Sequence, residues 1–334
     1  MTALDSFGRA IEYLRISVTD RCNLRCIYCM PEEGVPGKEH TEILRYEEIA
    51  RVVEAAASVG ISKVRLTGGE PLARLGLSQL IRMLSRIPGI EDLSLTTNGT
   101  LLAPMAEELK AAGLRRVNVS LDTLRPDRFR RITRLGELAD ALDGLRAAQE
   151  SGLTPIKVNM VVLRSLNEDE VVDFARLTLT ERWCVRFIEL MPMGHIWGDL
   201  SEWRERGLVT VDEVRDGIEG EFGPLLPVGE GEVVSAGPAR NFRIPGALGT
   251  LGFISPVTAH FCAVCNRLRL TADGRLRPCL LADTELDLRT PLRAGASKEE
   301  LVGLLLEAIA AKPAGHHLAE DQIPQERSMS QIGG

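Results

Sequence analysis

Six runs of alternating apolar residues, interleaved with stretches of helical periodicity, constrain this chain more than any other feature. The runs lie near residues 11–18 (IEYLRISV), 63–67 (KVRLT), 92–97 (DLSLTT), 115–121 (RRVNVSL), 155–162 (PIKVNMVV) and 184–190 (CVRFIEL). Helical spacing of apolar residues fills about 46–59, 77–86, 103–112, 136–150 and 167–178. Repeated strand–helix alternation calls for parallel strands joined by right-handed crossovers. Six such units fall short of the eight that close a barrel, so the expected fold is α/β, a partial (βα)6 barrel. After Pro192 the rhythm stops. Gly and Pro become frequent over 217–256, with hairpin-like runs GEVVSAG and FRIPG, and a helix near 298–311 precedes a polar tail. The expected division is a barrel body over 1–215 and a C-terminal module over 216–334 that covers its open side.

The chain has the material for such a body, with 334 residues of which 44% are hydrophobic. Its net charge of −7 speaks against a nucleic-acid binder and requires any anionic ligand to be met by locally clustered cations. No run approaches the roughly 18 apolar residues of a membrane helix. The opening MTALDSFGRAIEYLR lacks the basic and then apolar pattern of a secretion signal, so the expected location is the cytoplasm. Polar and glycine-rich signatures follow the predicted strands: Thr19 onward, TGGEP, TTNG, SLD and ELMP. In parallel α/β folds that edge gathers ligands and reactive groups, so the signatures point at one cavity.

Seven cysteines include two groups of three and a lone Cys184, which reads as an inert buried thiol. Cys22, Cys26 and Cys29, in CNLRCIYC, can bring three thiolates from one loop to one face of an iron–sulfur cube, leaving one iron open. A structural zinc loop with a distant fourth ligand is the alternative. Cys262, Cys265 and Cys279 form a second group, which either holds another cluster or, with His260, a zinc ion. Arg267, Arg269, Arg275 and Arg277 surround it with Asp273 as the only acid between Ser255 and Cys279, a local reversal of the chain's charge that suits an anionic substrate. His316 and His317 read as tail residues.

The CNLRCIYC spacing after the first strand, with Tyr28 before the last cysteine and TGGEP after the second strand, resembles the radical S-adenosylmethionine superfamily. With the second cysteine group included, the chain is similar to the GTP 3′,8-cyclase family, which opens molybdenum-cofactor biosynthesis. The likeness runs from LRISVTDRCN through RLTGGEP, LTTNGTLL, LKAAGLRRVNVSLDTL, IKVNMVV, FIELMP, FCAVCNRLRLTADGRLRPCLL and LDLRTPLR to MSQIGG.

The resemblance implies two [4Fe-4S] clusters, one on Cys22, Cys26 and Cys29 beside S-adenosylmethionine, the other on Cys262, Cys265 and Cys279 facing the substrate. Tyr28, Gly69, Ser120 and Met191 would line the cofactor pocket. Arg15, Arg65, Thr96 and Lys157 would contact GTP, with Arg267 and Arg269 in the same cavity. Gly333 and Gly334 would reach the active site. A 5′-deoxyadenosyl radical would take the ribose 3′ hydrogen, and the carbon radical would add to guanine C8. The resemblance further implies a homodimer, an electron donor and a downstream cyclic pyranopterin monophosphate synthase. Apart from it, Arg15, Arg65 and Lys157 read equally well as surface charges, Met191 as core, and Ser120 and Thr96 as turn caps.

Overall fold

The structure is a computed structural model, and it describes residues 2–193, 207–229, 237–320, 323–324 and 326–333. β1 (Tyr13–Ser17), β2 (Lys63–Thr67), β3 (Asp92–Thr97), β4 (Arg116–Ser120), β5 (Lys157–Val162) and β6 (Cys184–Glu189) pair in chain order, all parallel. The later chain extends this sheet on both sides. β9 (Thr250–Ile254) pairs parallel with β6 and β10 (Arg267–Leu270) parallel with β1. Antiparallel partners continue outward, β8 (Arg240–Arg243) and β7 (Leu226–Pro227) beyond β9, and β11 (Arg275–Arg277) and β12 (Leu286–Asp287) beyond β10. The result is the expected partial α/β barrel.

Strand side chains alternate between two environments because successive Cβ atoms point to opposite faces. Leu14, Ile16, Val64, Leu66, Leu93, Leu95, Val117, Val119, Val158 and Phe187 are buried in the main apolar core. The opposite face carries Arg15, Arg65, Ser94, Thr96, Arg116, Asn118, Lys157, Asn159 and Arg186. These strands therefore read as alternating, whereas strands of parallel sheets packed on both faces are usually apolar throughout.

Helices differ from the expectation where their apolar faces are thin. The stretch 136–150 is the helix Leu138–Glu150, preceded by an unanticipated helix Pro126–Thr133 whose buried residues are only Phe129, Ile132 and Thr133. Segment 103–112 starts with a 3-10 turn at Ala103–Met105, around Pro104, before the helix Ala106–Ala111. Running into the start of the stretch that reads as rich in glycine and proline, Val211–Phe222 is helical, with a capping box of Thr210 and Glu213 and a stop at Gly223. Most of the GEVVSAG run lies outside the described residues.

Buried carboxylates tie the rim loops together. Glu70 accepts from the backbone N–H of Leu72 and Asn98 and from the Thr97 hydroxyl, at 3.0, 2.8 and 2.8 Å. Glu170 accepts from the Thr123 hydroxyl and Leu124 N–H at 2.6 and 2.7 Å. Glu189, at the end of β6, accepts from Val211, Val257 and Thr258 N–H at 3.2, 3.1 and 3.1 Å and from the Thr258 hydroxyl. Glu189 thus fastens the segment after β9 to the barrel. Glu189→Gln presents an amide N–H2 to those donors, and we expect it to lower unfolding free energy in urea by about 1–3 kcal/mol. An unchanged midpoint and slope would refute the tether.

Candidate active site

At the C-terminal ends of the strands, one cavity is lined by Cys22, Cys26, Cys29, Arg15, Tyr28, Arg65, Gly69, Thr96, Ser120, Met191, Arg267 and Arg269. A neighbouring cavity is lined by Cys262, Cys265, Cys279 and His260, and shares Met191, Phe261, Arg267 and Arg269 with the first. Two expected residues stand back from these walls. Lys157 is fully buried on the same strand face, two residues before the wall residue Asn159. Gly333 reaches the wall through its carbonyl, which accepts a 2.6 Å hydrogen bond from Arg269 Nη1. Gly334 lies outside the described residues.

The first thiol loop is shaped by short-range backbone bonds. Cys29 N–H donates to the Cys26 carbonyl at 2.9 Å, and Leu24 N–H to the Cys22 sulfur at 3.4 Å. TGGEP closes on it: Gly69 N–H donates to the Thr19 carbonyl and Glu70 N–H to the Arg21 carbonyl, both at 2.8 Å. A Cβ at Gly69 would stand 2.4 Å from the Arg21 carbonyl oxygen, so glycine is required for the two loops to touch. Tyr28 donates from its hydroxyl to Asp122 at 2.6 Å, and Asp122 also accepts from Val161 N–H at 2.8 Å. Burial raises Asp122 to about 6.

Burial, with repulsion from Cys22, pushes the Cys29 thiol up to about 12, and burial drives Cys26 well above its ordinary value. Thiolates here need a bound cationic partner, which is what iron ligation provides. Among the described residues no three His, Cys, Asp or Glu side chains are grouped as ligands of a single ion. A cube carries its irons at separate corners, so its thiolates stand farther apart than the ligands of one ion.

The barrel interior is cationic. Arg65, Arg116, Lys157, Arg186 and Arg269 are all at most 6% exposed. Burial and neighbouring arginines lower Arg65 to about 9 and Arg267 to about 10, and push Arg269 well down. Arg116 is offset by Asp92, whose carboxylate accepts from Arg116 Nε at 3.0 Å. Tyr13 Oη, Arg15 Nε, Asn118 Nδ2, Asn159 Oδ1 and Arg186 Nε are buried without a partner. Buried polar atoms are normally satisfied, so this wall is built for a polar, anionic occupant. Sequence reasoning missed Arg116, Asn118, Asn159 and Arg186. For Asn118 and Asn159 the signal is a position two residues from Ser120 and Lys157 on the alternating strand pattern.

The second thiol group sits in a different field. Despite burial, Lys312 and Arg267 hold the Cys265 thiol below its ordinary value. Lys312 Nζ donates to the carbonyls of Arg267 and Pro278 at 2.8 and 2.7 Å, binding β10 to the Cys279 segment. Arg9 Nη1 donates to the Cys262 carbonyl at 2.7 Å. His316, expected to be a tail residue, instead lines this cavity, its ring 5.1 Å from that of His260 and its Nε2 2.8 Å from the Pro256 carbonyl. The apolar packing of Leu318 and Ile332 with Leu281 brings the tail back to the site. Cys184 is buried, as expected.

The sequence pattern of the Radical SAM superfamily matches residues 16–178, and that of Molybdenum Cofactor Synthesis C matches residues 183–318. Among curated relatives, the GTP 3′,8-cyclase of Pelotomaculum thermopropionicum is 55% identical over 99% of both chains. That of Moorella thermoacetica is 52% identical over 99% of both. Among solved structures, Streptococcus suis SuiB bound to S-adenosylmethionine has a TM-score of 0.57 at 15% identity, covering 89% of this chain and 68% of its own, a likeness of fold.

Burial, followed by Arg186 and Arg116, lowers Lys157 to about 6, with Cys184 and Arg65 as further neighbours. Near neutral pH Lys157 is then mostly uncharged, and an anion entering the barrel raises its pKa toward the ordinary range. Binding of a triphosphate at pH 7.5 should therefore take up protons, and affinity should fall as pH rises above about 6. Calorimetry in buffers of different ionisation enthalpy checks this. Proton uptake that persists unchanged in Lys157→Met would contradict it.

Proposed function

The chain belongs to the GTP 3′,8-cyclase family of the radical S-adenosylmethionine superfamily, and from that premise we propose that it converts GTP to 3′,8-cyclo-7,8-dihydro-GTP for molybdenum-cofactor biosynthesis. The observation that carries the reading is the meeting of two thiol groups in adjoining cavities that share Arg267 and Arg269. Cys22, Cys26 and Cys29 would hold the [4Fe-4S] cluster that goes with the superfamily, beside S-adenosylmethionine. Cys262, Cys265 and Cys279 would hold a second cluster. When bound, the first cluster and S-adenosylmethionine supply the one-electron chemistry that removes a hydrogen atom from the substrate.

The chain's own residues bind, orient and exclude water. Arg15, Arg65, Lys157 and Arg186 would take the phosphates, since guanidinium forks match phosphate oxygens. Arg267 and Arg269, alternate residues of β10, lie between the thiol groups and would hold the nucleotide toward both. Thr96 would add a hydroxyl contact. Tyr28, Gly69, Ser120 and Met191 would surround the cofactor at the rim, and Gly333 with Gly334 would close the cavity through backbone groups. Holding ribose and guanine at attack distance is the main contribution expected of the protein. Residues 1–215 would form the barrel body and 216–334 the module that closes it. A homodimer, a separate electron donor and a cyclic pyranopterin monophosphate synthase acting next accompany the reading by resemblance alone, and a cytoplasmic location goes with it. No helix among the described residues is long and apolar enough to cross a membrane.

Anaerobic incubation of reconstituted protein with GTP, S-adenosylmethionine and dithionite, followed by mass analysis, tests the proposal. The expected result is 5′-deoxyadenosine together with a cyclised nucleotide, and about eight irons per chain. Cys26→Ser should abolish both products while the second cluster still assembles. Parent-level 5′-deoxyadenosine from that variant, or one zinc beside a single cube in the parent, would defeat the corresponding assignment.

A further inference from the structure

Arg327 lies in the polar tail and lines neither cavity. Its guanidinium nonetheless spans two carboxylates. Nη1 and Nη2 donate to Asp273 at 3.2 and 3.1 Å, and Nε and Nη2 donate to Glu285 at 2.6 and 2.8 Å. The Arg327 side chain is 13% exposed and the carboxylates are 9% and 14% exposed, so these are protected, charge-assisted bonds of fixed geometry. Asp273, in the turn between β10 and β11, also pairs with Lys38 at 3.2 Å. Lys38 N–H in turn donates at 2.7 Å to Asp20, two residues before Cys22.

The terminal turn begins one residue after Arg327. Ser328 and Gln331 form a capping box on the turn Met329–Ile332. Met329 and Ser330 line the first cavity, whose wall Cys29 shares. Gly333 has φ of +70°, and a Cβ there would stand 2.5 Å from Thr67 Cγ2, so only glycine fits as its carbonyl meets Arg269.

We propose that Arg327 is a positioning residue for this active site: clamped to Asp273 and Glu285, it sets the register in which Met329 and Ser330 line the first cavity and the Gly333 carbonyl meets Arg269. The proposal rests on reading the cavity as a cluster and nucleotide site. Groups that hold a contacting residue in place from behind fix what it presents to a ligand, so the clamp acts on Arg269 and the cavity wall at a distance. Lysine at 327 keeps the charge but cannot span both carboxylates.

The test compares full-length parent, Arg327→Ala, Arg327→Lys and a variant lacking only Gly333 and Gly334. Iron content and far-ultraviolet circular dichroism establish that each folds and loads. In Arg327→Ala we expect faster hydrogen exchange in the peptide containing residues 328–333 and a loss of cyclised nucleotide of roughly tenfold or more. Arg327→Lys should fall between. Parent-like exchange in Arg327→Ala overturns the proposal, whatever happens to turnover. Parent-level turnover in the variant without the two glycines would refute their role without touching the clamp. Absence of cyclised nucleotide from the parent would refute the cyclase reading, while exchange still decides the proposal for Arg327.

Discussion

Repulsion among like charges inside the barrel is the constraint on which the rest of the molecule depends. A closed (βα)8 barrel fills its interior with layers of branched apolar side chains. Here Arg15, Arg65, Arg116, Lys157 and Arg186 share the inward strand face, and Arg267 and Arg269 join them from β10. Burial holds Arg65 near 9 and Lys157 near 6, so the interior resists its own charge. The apolar core lies instead between the sheet and its helices, where Leu14, Val64, Leu95, Val119 and Phe187 are buried. That outer core allows the inner face to be specialised for an anion.

The rim meets a different requirement, that of holding loops bearing reactive groups without filling the cavity. Carboxylates in the loops or at strand ends do this from behind: Glu70 holds the TTNG turn, Asp122 holds Tyr28, and Glu189 holds the segment after β9. Each is a buried acid whose bonds go to backbone N–H groups or hydroxyls of neighbouring loops. Outer groups of this kind fix the orientation of the residues that touch ligand or metal. Lys312, Arg9 and Arg327 do the equivalent for the second thiol group and the tail, using cations on carbonyls and carboxylates.

Much of this was legible in the sequence because the local signals agree with the global fold. Strand alternation, the glycine-rich strand ends and the two cysteine spacings each name a place in the chain, and parallel topology brings those places to one edge. What escaped was of four kinds. Arg116 and Arg186 sit in RVNVS and CVRFIE, where an inward arginine cannot be told from a solvent-facing one until the barrel curves. Lys312, Arg9, His316 and Arg327 act across long sequence separations, Arg9 on Cys262 for example, and no local pattern carries such a pairing. The helix Pro126–Thr133 buries too few apolar residues to impose a visible period. Glu70 and Asp122 stand within TGGEP and SLD, yet their work on neighbouring loops shows only in three dimensions.

The central claim is that the inward cations select a polyphosphate. Equilibrium binding of GTP, GDP and guanosine to the reconstituted protein, measured at low and at high salt, tests it most directly. The account predicts that affinity falls with each lost phosphate, that GTP binds at least about tenfold more tightly than guanosine at low ionic strength, and that added salt narrows the gap. Equal affinity for GTP and guanosine at both salt concentrations would contradict it.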